Sequence, residues 1–116
     1  MPREFSRSMR VAELLHRELS SYLLKEFKDE RLRGFITITA VDVTRDLSQA
    51  KVYFTIFPLE QTEEAACDIL NESASDLRKY LAKAVILKKL PEVRFVYDYS
   101  IDKANRLEAL INKVKE

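Results

Sequence analysis

The chain has 116 residues, of which 47% are hydrophobic and 34% are charged. This composition is typical of one soluble globular domain and not of a disordered segment. The chain contains one cysteine, one histidine and one glycine. These counts exclude an intrachain disulfide, a multi-cysteine zinc site, a catalytic group built on two histidines and a glycine-rich phosphate loop.

No membrane or secretory segment is predicted. No stretch approaches the roughly 20 apolar residues that a membrane span needs. The first ten residues, MPREFSRSMR, lack the apolar core of a signal peptide. A single thiol in a chain without disulfides suits a reducing compartment. We therefore expect a cytoplasmic protein that has no membrane association.

The formal net charge of +1 conceals a separation of charge along the chain. Residues 63–76 carry five acidic side chains and no basic one, whereas residues 77–94 carry six basic side chains and one acidic one. The average charge therefore says little about partners, but the acidic block followed by a basic block does indicate them.

The first predicted element is an amphipathic helix from about Ser8 to Lys28. Its apolar residues recur at spacings of three and four, which is the helical period. The segment DERLRG at residues 29–34 ends this pattern. It closes on Gly34, which takes a positive φ freely, so we expect a turn before the next element.

A β-hairpin is predicted next. In FITITAV, residues 35–41, the apolar residues Ile36, Ile38 and Ala40 alternate with threonines and are expected to face inward. A short polar connection at residues 42–49 leads to a second strand. Consecutive strands with a short link usually pair.

The second strand, KVYFTIF at residues 51–57, is apolar at every even-numbered position. Its other face carries Lys51, Tyr53, Thr55 and Phe57. We expect a helix to cover Tyr53 and Phe57, and base stacking on their rings is the alternative.

Two helices are predicted after the hairpin. Thr62 can cap the first, and the small residues Ser73, Ala74 and Ser75 interrupt the run. The second helix is expected to extend from about Leu77 to Leu90, before a proline. Its inward residues are predicted to be Leu77, Tyr80, Leu81, Ala84 and Val85.

A third strand, VRFVYD at residues 93–98, and a final amphipathic helix from Ser100 or Asp102 complete the chain. The order is α–β–β–α–α–β–α. Because two strands are consecutive, an all-parallel α/β fold is disfavoured, and we predict an α+β fold with helices on one face of a three-stranded sheet. We expect residues 1–116 to form a single domain.

No catalytic or metal site is predicted. His16 lies on the polar side of the first helix, where a lone histidine is most often a surface residue. Cys67 has acidic neighbours in sequence, whereas a reactive thiolate needs positive ones. Asp42, Asp46 and Asp98 could in principle ligate a metal, but they are sparse, so turn caps and surface acids are the better interpretation. We therefore expect no enzyme activity and no cofactor.

A cationic helix face is the main predicted binding feature. Lys79 and Lys83 lie four residues apart and therefore on the same face of the second helix of the pair. No acidic residue lies four positions from either lysine, so their repulsion is uncompensated within the helix. A solvated helix face is the alternative, but the pattern favours a nucleic acid as partner. The residues predicted to contact RNA on this surface are Arg78, Lys79, Lys83, Lys88, Lys89 and Arg94.

Secondary phosphate contacts are predicted from the first helix, whose arginines would extend the footprint of the cationic helix face, and from the loops and the second strand. Arginine in such positions is a good phosphate ligand because its forked donors match phosphate oxygens. The secondary residues are Arg7, Arg10, Arg31, Arg33, Arg45 and Lys51.

Three segments together resemble one known family. They are RVAELLHRELSSYLLKEFKDERL, VDVTRDLSQAKVYFTIF and LPEVRFVYDYSIDKANRLEALI. In this order and spacing they resemble the bacterial ribosome-binding factor A family, over nearly the whole chain. The resemblance implies a type II KH-like domain, α–β–β–α–α–β, followed by a C-terminal helix.

The same resemblance implies a function. Members of this family are non-enzymatic assembly factors that bind the free small (30S) ribosomal subunit near the decoding region. They promote maturation of the 16S rRNA 5′ end and late subunit assembly, they matter most in the cold, and they leave before translation. The expected partners are the small subunit, its rRNA and an assembly GTPase, and the chain is expected to be a monomer.

One departure concerns the junction of the paired helices. Ordinary KH domains hold single-stranded nucleotides with a GXXG loop there. The resembled family has an Ala-x-Gly kink, and the matching residues here are Ser73, Ala74 and Ser75. The missing glycine argues against base-by-base readout and favours recognition of rRNA shape and phosphates. The sequence leaves open whether this junction is kinked.

A protein-interaction module with no direct RNA role is the alternative from another functional class. In that case the acidic helix around residues 63–76 would contact one protein. The basic helix after it would contact another protein or a second copy of the chain.

Overall fold

A computed structural model describes residues 6–100 of the chain. The described elements follow the order α–β–β–α–α–β, which confirms the predicted α+β class. The final helix that we predicted after Ser100 lies outside the described residues. The elements are α1 (Arg7–Lys25), β1 (Phe35–Val43), β2 (Gln49–Phe57), α2 (Glu63–Glu72), α3 (Ala74–Ala84) and β3 (Glu92–Tyr97).

The sheet is mixed and has the order β1-β2-β3. β1 and β2 form the predicted antiparallel hairpin. β3 pairs with β2 in parallel, since α2 and α3 carry the chain back across the sheet before β3 begins. The parallel arrangement places the start of β3 beside the start of β2, with Gln49 opposite Glu92.

The buried side chains of the strands face the helices on one side of the sheet. Large, fully buried core residues include Leu15 and Leu19 of α1, Phe54 of β2, Leu70 of α2 and Leu77 of α3. Within residues 6–100 no polar or charged side chain is buried. None of the helices in this part of the chain combines the length and the apolar character that a membrane span requires.

The predicted inward position of Ala40 is wrong. The pairing of β1 with β2 shifts by one residue between Ile38 and Ala40. Thr39 is therefore an extra residue, and a one-residue bulge reverses which side chains face the core. After the bulge Val43 is buried, whereas Ala40 is exposed.

The expected helical cover over the other strand face is also wrong for Phe57. Phe57 is 82% exposed, because α1 and α2 pack on the opposite face of the sheet and α3 packs against these two helices. Tyr53 on the same face is half-buried.

The paired helices divide at Ser73. Thr62 caps α2, since its Oγ1 accepts a hydrogen bond from the Ala65 N–H at 3.1 Å. At the other end the Ser73 Oγ donates to the Leu70 carbonyl at 2.6 Å. Ser73 itself has a ψ of 7°, outside the helical range, and α3 starts at the next residue.

The predicted extension of α3 to Leu90 is wrong, because the helix ends at Ala84. The next residue, Val85, is extended, with φ −127° and ψ 149°. Its side chain is buried, whereas Ala84, which we predicted to face inward, is exposed. The physical reason is the parallel pairing of β3: residues 85–91 must cross to the start of β2, where the Glu92 N–H donates to the Ser48 carbonyl at 2.9 Å.

Candidate nucleic-acid interface

Five cationic side chains from three distant segments line one concave surface, which encloses a volume of about 650 Å³. Arg7 and Arg10 come from the first turn of α1, Arg45 from the β1–β2 loop, and Lys88 and Lys89 from the α3–β3 loop. We call these five residues the basic cluster. All five are exposed, and none of them forms an ion pair within residues 6–100. Like charges thus meet on one surface, and Asp46 is the one carboxylate among the described residues that line it.

The loop that carries Arg45 is fixed by its own hydrogen bonds. The Asp46 carboxylate accepts hydrogen bonds from the Ser48 Oγ at 2.8 Å, the Thr44 Oγ1 at 2.8 Å and the Ser48 N–H at 3.1 Å. These hydrogen bonds, together with the nearby charge of Lys89, lower the pKa of Asp46 to about 2. Asp46 lines the same concave surface, so it reduces the positive charge of the basic cluster without pairing with any member of it.

The floor of the basic cluster is apolar. It is lined by Val11 of α1, Leu47 of the hairpin loop and Leu87 of the α3–β3 loop. Leu47 has a φ of 63°, which a residue with a branched side chain rarely adopts. The side chain of Leu47 packs against the core, which offsets this strain and holds the loop, with Arg45, against the rest of the protein.

The structure separates the predicted cationic helix face into two parts. Lys88 and Lys89 leave the helix and join the basic cluster. Lys79 and Lys83 remain on α3, where they line a different cleft together with Asp76 and with Glu26 at the end of α1. Two carboxylates beside two lysines leave that cleft without net charge, so it is a weaker candidate for binding a polyanion.

Arg31 was predicted to contact phosphate, and its neighbouring carboxylates disfavour that contact. Its guanidinium donates to both carboxylate oxygens of Asp29, at 3.0 and 2.7 Å, and to Glu72 of α2 at 3.0 Å. The hydrogen bonds from Arg31 lower the pKa of Asp29 to about 2. An arginine held by two carboxylates has few donors left for phosphate. Arg33, two residues later, is exposed and lies outside the basic cluster.

Lys51 and Arg94 lie side by side on the face of the sheet opposite the helices, which we call the open face. They are register partners on β2 and β3, and both are exposed. Asp42 is the register partner of Lys51 on β1. These two cations are therefore close to each other but outside the basic cluster.

The helix junction borders an apolar groove between α3 and β3. Ala74, Ser75 and Arg78 line one side of this groove, and Pro91 and Val93 lie on the other. Arg78 thus faces this groove and lies apart from the basic cluster. Within the described residues, no side chain caps the start of α3.

The residues considered for catalysis or metal binding are held in contacts that stabilise the fold. The His16 Nε2 lies 3.1 Å from the Ile38 carbonyl, next to the bulge of β1. Burial raises the pKa of the Cys67 thiol, which favours the unreactive protonated form. The Asp98 carboxylate accepts a hydrogen bond from the Thr39 Oγ1 at 2.5 Å, which lowers its pKa. Among residues 6–100, no three histidine, cysteine, aspartate or glutamate side chains lie close enough to hold a metal ion.

Sequence reasoning selected every residue of the basic cluster and joined Arg7 and Arg10 to the cationic helix face, but it missed that Lys88 and Lys89 separate from Lys79 and Lys83 and meet Arg45. It ranked Arg7, Arg10 and Arg45 as secondary and assigned Lys88 and Lys89 to a helix face. The signal available was Pro91, with the β-branched Val85 and Ile86 before it, which disfavours a helix through this stretch.

The comparisons with known proteins agree on one family. The family model of ribosome-binding factor A matches residues 7–111. Ribosome-binding factor A of Legionella pneumophila strain Paris is 43% identical over 114 residues, which cover 98% of this chain and 91% of the relative. The Chromobacterium violaceum protein of the same name is 48% identical over 110 residues, which cover 95% of this chain and 78% of the relative.

Solved structures show the same likeness. The crystal structure of ribosome-binding factor A from Thermus thermophilus aligns with a TM-score of 0.66 at 28% identity, over 78% of this chain and 94% of that one. A Thermus thermophilus homology model that was fitted into a cryo-EM map of a 30S–RbfA complex aligns with a TM-score of 0.63, at 28% identity, over 76% of this chain and 91% of that one. The match to the family model over most of the chain, the two bacterial relatives and the shared KH-like fold lead to one conclusion: this chain belongs to the ribosome-binding factor A family.

Proposed function

We propose that this chain is a non-enzymatic factor that binds the free small ribosomal subunit, and that the basic cluster contacts the phosphates of its rRNA. The observation that carries the proposal is the convergence of Arg7, Arg10, Arg45, Lys88 and Lys89 on one concave surface. Family membership supports the choice of partner, since one similar structure was fitted as part of a 30S complex.

The charges of the basic cluster suit phosphate binding for a physical reason. Bringing five cations together is unfavourable, because within residues 6–100 no ion pair relieves their repulsion and Asp46 is the one carboxylate that lines the same surface. A phosphate backbone relieves it, and the counterions that leave the RNA add a favourable entropy. The fixed Arg45 loop reduces the ordering that binding requires.

The finer function follows from the family resemblance. We propose that the chain promotes maturation of the 16S rRNA 5′ end and late assembly of the subunit, that the need for it is greatest in the cold, and that an assembly GTPase acts with it. It would act as a monomer in the cytoplasm, with residues 1–116 forming one binding domain. Cells that lack the gene should accumulate 16S rRNA with unprocessed 5′ ends, more strongly at low temperature than at high temperature.

The direct test is a salt series of binding to isolated small subunits. Five neutralised phosphates give a slope of log affinity against log salt of about −4.5, which corresponds to roughly a 500-fold loss of affinity between about 50 and 200 mM salt. The double variant Lys88→Gln/Lys89→Gln should reduce the slope to about −2.7 and the loss to roughly 40-fold.

The double variant Lys79→Gln/Lys83→Gln is the matched control. It removes the same charge from a cleft whose carboxylates already balance it, so the slope should stay close to that of the wild-type protein. An unchanged slope for Lys88→Gln/Lys89→Gln would show that the basic cluster is not the RNA contact, and an equally reduced slope for the control would show that the basic cluster is not the distinguishing surface.

The competing function, a protein-interaction module, gives a different result in copurification. Association with ribosomal material that survives both nuclease digestion and high salt would favour protein contacts. Association that is lost in both treatments supports the proposed contact with rRNA.

A further inference from the structure

The open face of the sheet exposes two aromatic rings at directly paired positions. Phe35 of β1 and Phe57 of β2 are register partners, and their side chains are 65% and 82% exposed. A single exposed apolar side chain is ordinary on a protein surface. Neither phenylalanine belongs to the buried core, which lies on the opposite face, and Phe35 at the sheet edge also borders clefts beside Leu24 of α1.

The register places further stacking and charged groups on the same face. Tyr53 lies four residues before Phe57 on β2, so the two are about 13 Å apart along the strand. Between them lies a row of hydroxyl side chains, Thr37 and Thr55, which are also register partners. Two residues before Tyr53, Lys51 stands beside Arg94 of β3.

Acidic groups on this face limit its electrostatic attraction. Asp42 is the register partner of Lys51, and Glu92 lies two residues from Arg94 on the same side of β3. These four charges cancel. A ligand of this face would therefore gain its affinity from the aromatic rings more than from the field of the protein.

We propose that this open sheet face binds single-stranded RNA by stacking unpaired bases on Phe35, Phe57 and Tyr53. The two cations Lys51 and Arg94 lie where the backbone of such a strand would pass. The proposal rests on the proposed function, because the strand would belong to the rRNA held at the basic cluster.

The position of the two cations connects the open face to the basic cluster. β2 begins directly after the loop that carries Arg45, and the Glu92 N–H binds the Ser48 carbonyl of that loop at 2.9 Å. Lys51 and Arg94 therefore stand at the end of the sheet nearest the basic cluster. A strand that leaves the basic cluster around the Arg45 loop reaches Lys51 and Arg94 first and the aromatic rings next.

The spacing of the rings favours RNA over a protein partner. The core of a protein interface is a contiguous apolar patch. Here the row of Thr37 and Thr55 separates Tyr53 from the pair Phe35 and Phe57. Separated rings with hydroxyl and cationic groups between and beside them are typical of sheets that stack single-stranded bases.

The test compares a short unpaired RNA oligonucleotide with the same oligonucleotide annealed to its complement. Phe57→Ala and Phe35→Ala should each weaken binding of the unpaired strand about tenfold, which is typical for the loss of one stacked base. Binding of the duplex should not change, because its bases are not free to stack. The salt slope should also stay the same, because neither substitution removes a charge.

The control variant is Ile86→Ala, since Ile86 is a fully exposed apolar side chain in the α3–β3 loop, away from the sheet face. It should bind both RNAs like the wild-type protein. Thermal unfolding of all variants shows that the fold persists, which is expected because the substituted side chains are exposed.

Two results would overturn this inference. One is unchanged affinity of both phenylalanine variants for the unpaired strand. The other is a loss of binding to the small subunit without any loss of binding to the isolated strand, which would assign the face to a protein. Neither result bears on the basic cluster, whose salt slope is measured with other variants.

Discussion

The side chain of Asn71 on α2 closes the free edge of β3. Its Oδ1 accepts a hydrogen bond from the Phe95 N–H at 2.8 Å, and its Nδ2 donates to the Phe95 carbonyl at 3.2 Å. Within the described residues β3 pairs only with β2, so this side-chain amide occupies the place that a further strand would take.

The substitution Asn71→Ala removes both hydrogen bonds at once. It leaves the N–H and the carbonyl of Phe95, a residue that is only 2% exposed, without their partner. At about 1 kcal/mol for each hydrogen bond, the free energy of unfolding should fall by about 2 kcal/mol. For a domain of this size that lowers the melting temperature by about 8 °C.

Urea unfolding of the two proteins measures this difference. Asp68→Ala is the control, because Asp68 is an exposed residue three positions earlier on α2 that makes no hydrogen bond in the described chain. Asn71→Asp should lose at least as much stability as Asn71→Ala, since one carboxylate oxygen still accepts from the Phe95 N–H but the other faces the Phe95 carbonyl oxygen with no donor between them. A loss below about 0.5 kcal/mol for Asn71→Ala would refute the reasoning, because it would mean that water replaces the amide at no cost.

Three further predictions concern the backbone and the carboxylates. Gly34→Ala should lower the free energy of unfolding by about 2 kcal/mol or more in urea unfolding, because its φ is +112° and the added Cβ would lie 2.8 Å from the Pro58 carbonyl oxygen. The pKa of Asp46 is held at about 2, below the ordinary value of 3.8 for an aspartate. The stabilisation it provides is therefore present above about pH 4 and is lost as the pH falls towards about 2, and the stability of Asp46→Asn should vary less over that range. Thr39→Val removes the main cause of the lowered pKa of Asp98, so the pKa of that carboxyl should rise towards its ordinary value in an NMR titration.

Local patterns predicted the elements because each element repeats one signal several times. The alternation in β2 is confirmed, and the spacing of apolar residues is confirmed in α1, although the helix ends at Lys25 and not at the predicted Lys28. The bulge at Thr39 could not be predicted in this way. Ala40 is compatible with either face, and the bulge is a property of the pairing of β1 with β2, which the alternation within one strand does not contain.

The end of α3 shows the same limit. Residues 85–90 contain lysines and leucines that are compatible with a helix, so periodicity alone extends the element. The parallel pairing of β3 with β2 overrides this preference, because Gln49 and Glu92 must be brought together. A long-range contact therefore determines where the helix ends.

Arg31 illustrates why the position of a residue in the sequence does not determine its contacts. An arginine in a loop predicts a phosphate contact, but Arg31 lies between Asp29 and Glu72. Asp29 is only two residues away, so this pair was open to prediction as a local turn contact. Glu72 is far away in sequence and reaches Arg31 only through the packing of α2.

Two pairs of lysines show why near-neutral chains can still bind polyanions. Lys79 and Lys83, and Lys88 and Lys89, belong to the same basic block of the sequence. The first pair shares its cleft with two carboxylates, at the end of α1 and in the first turn of α3, whereas the second meets the arginines of α1 and of the hairpin loop. The difference arises because α3 ends between the two pairs, after Lys83 and before Lys88. The electrostatic role of a lysine in this fold is thus set by its tertiary neighbours, and a basic block of sequence can supply both a surface without net charge and one with a net positive charge.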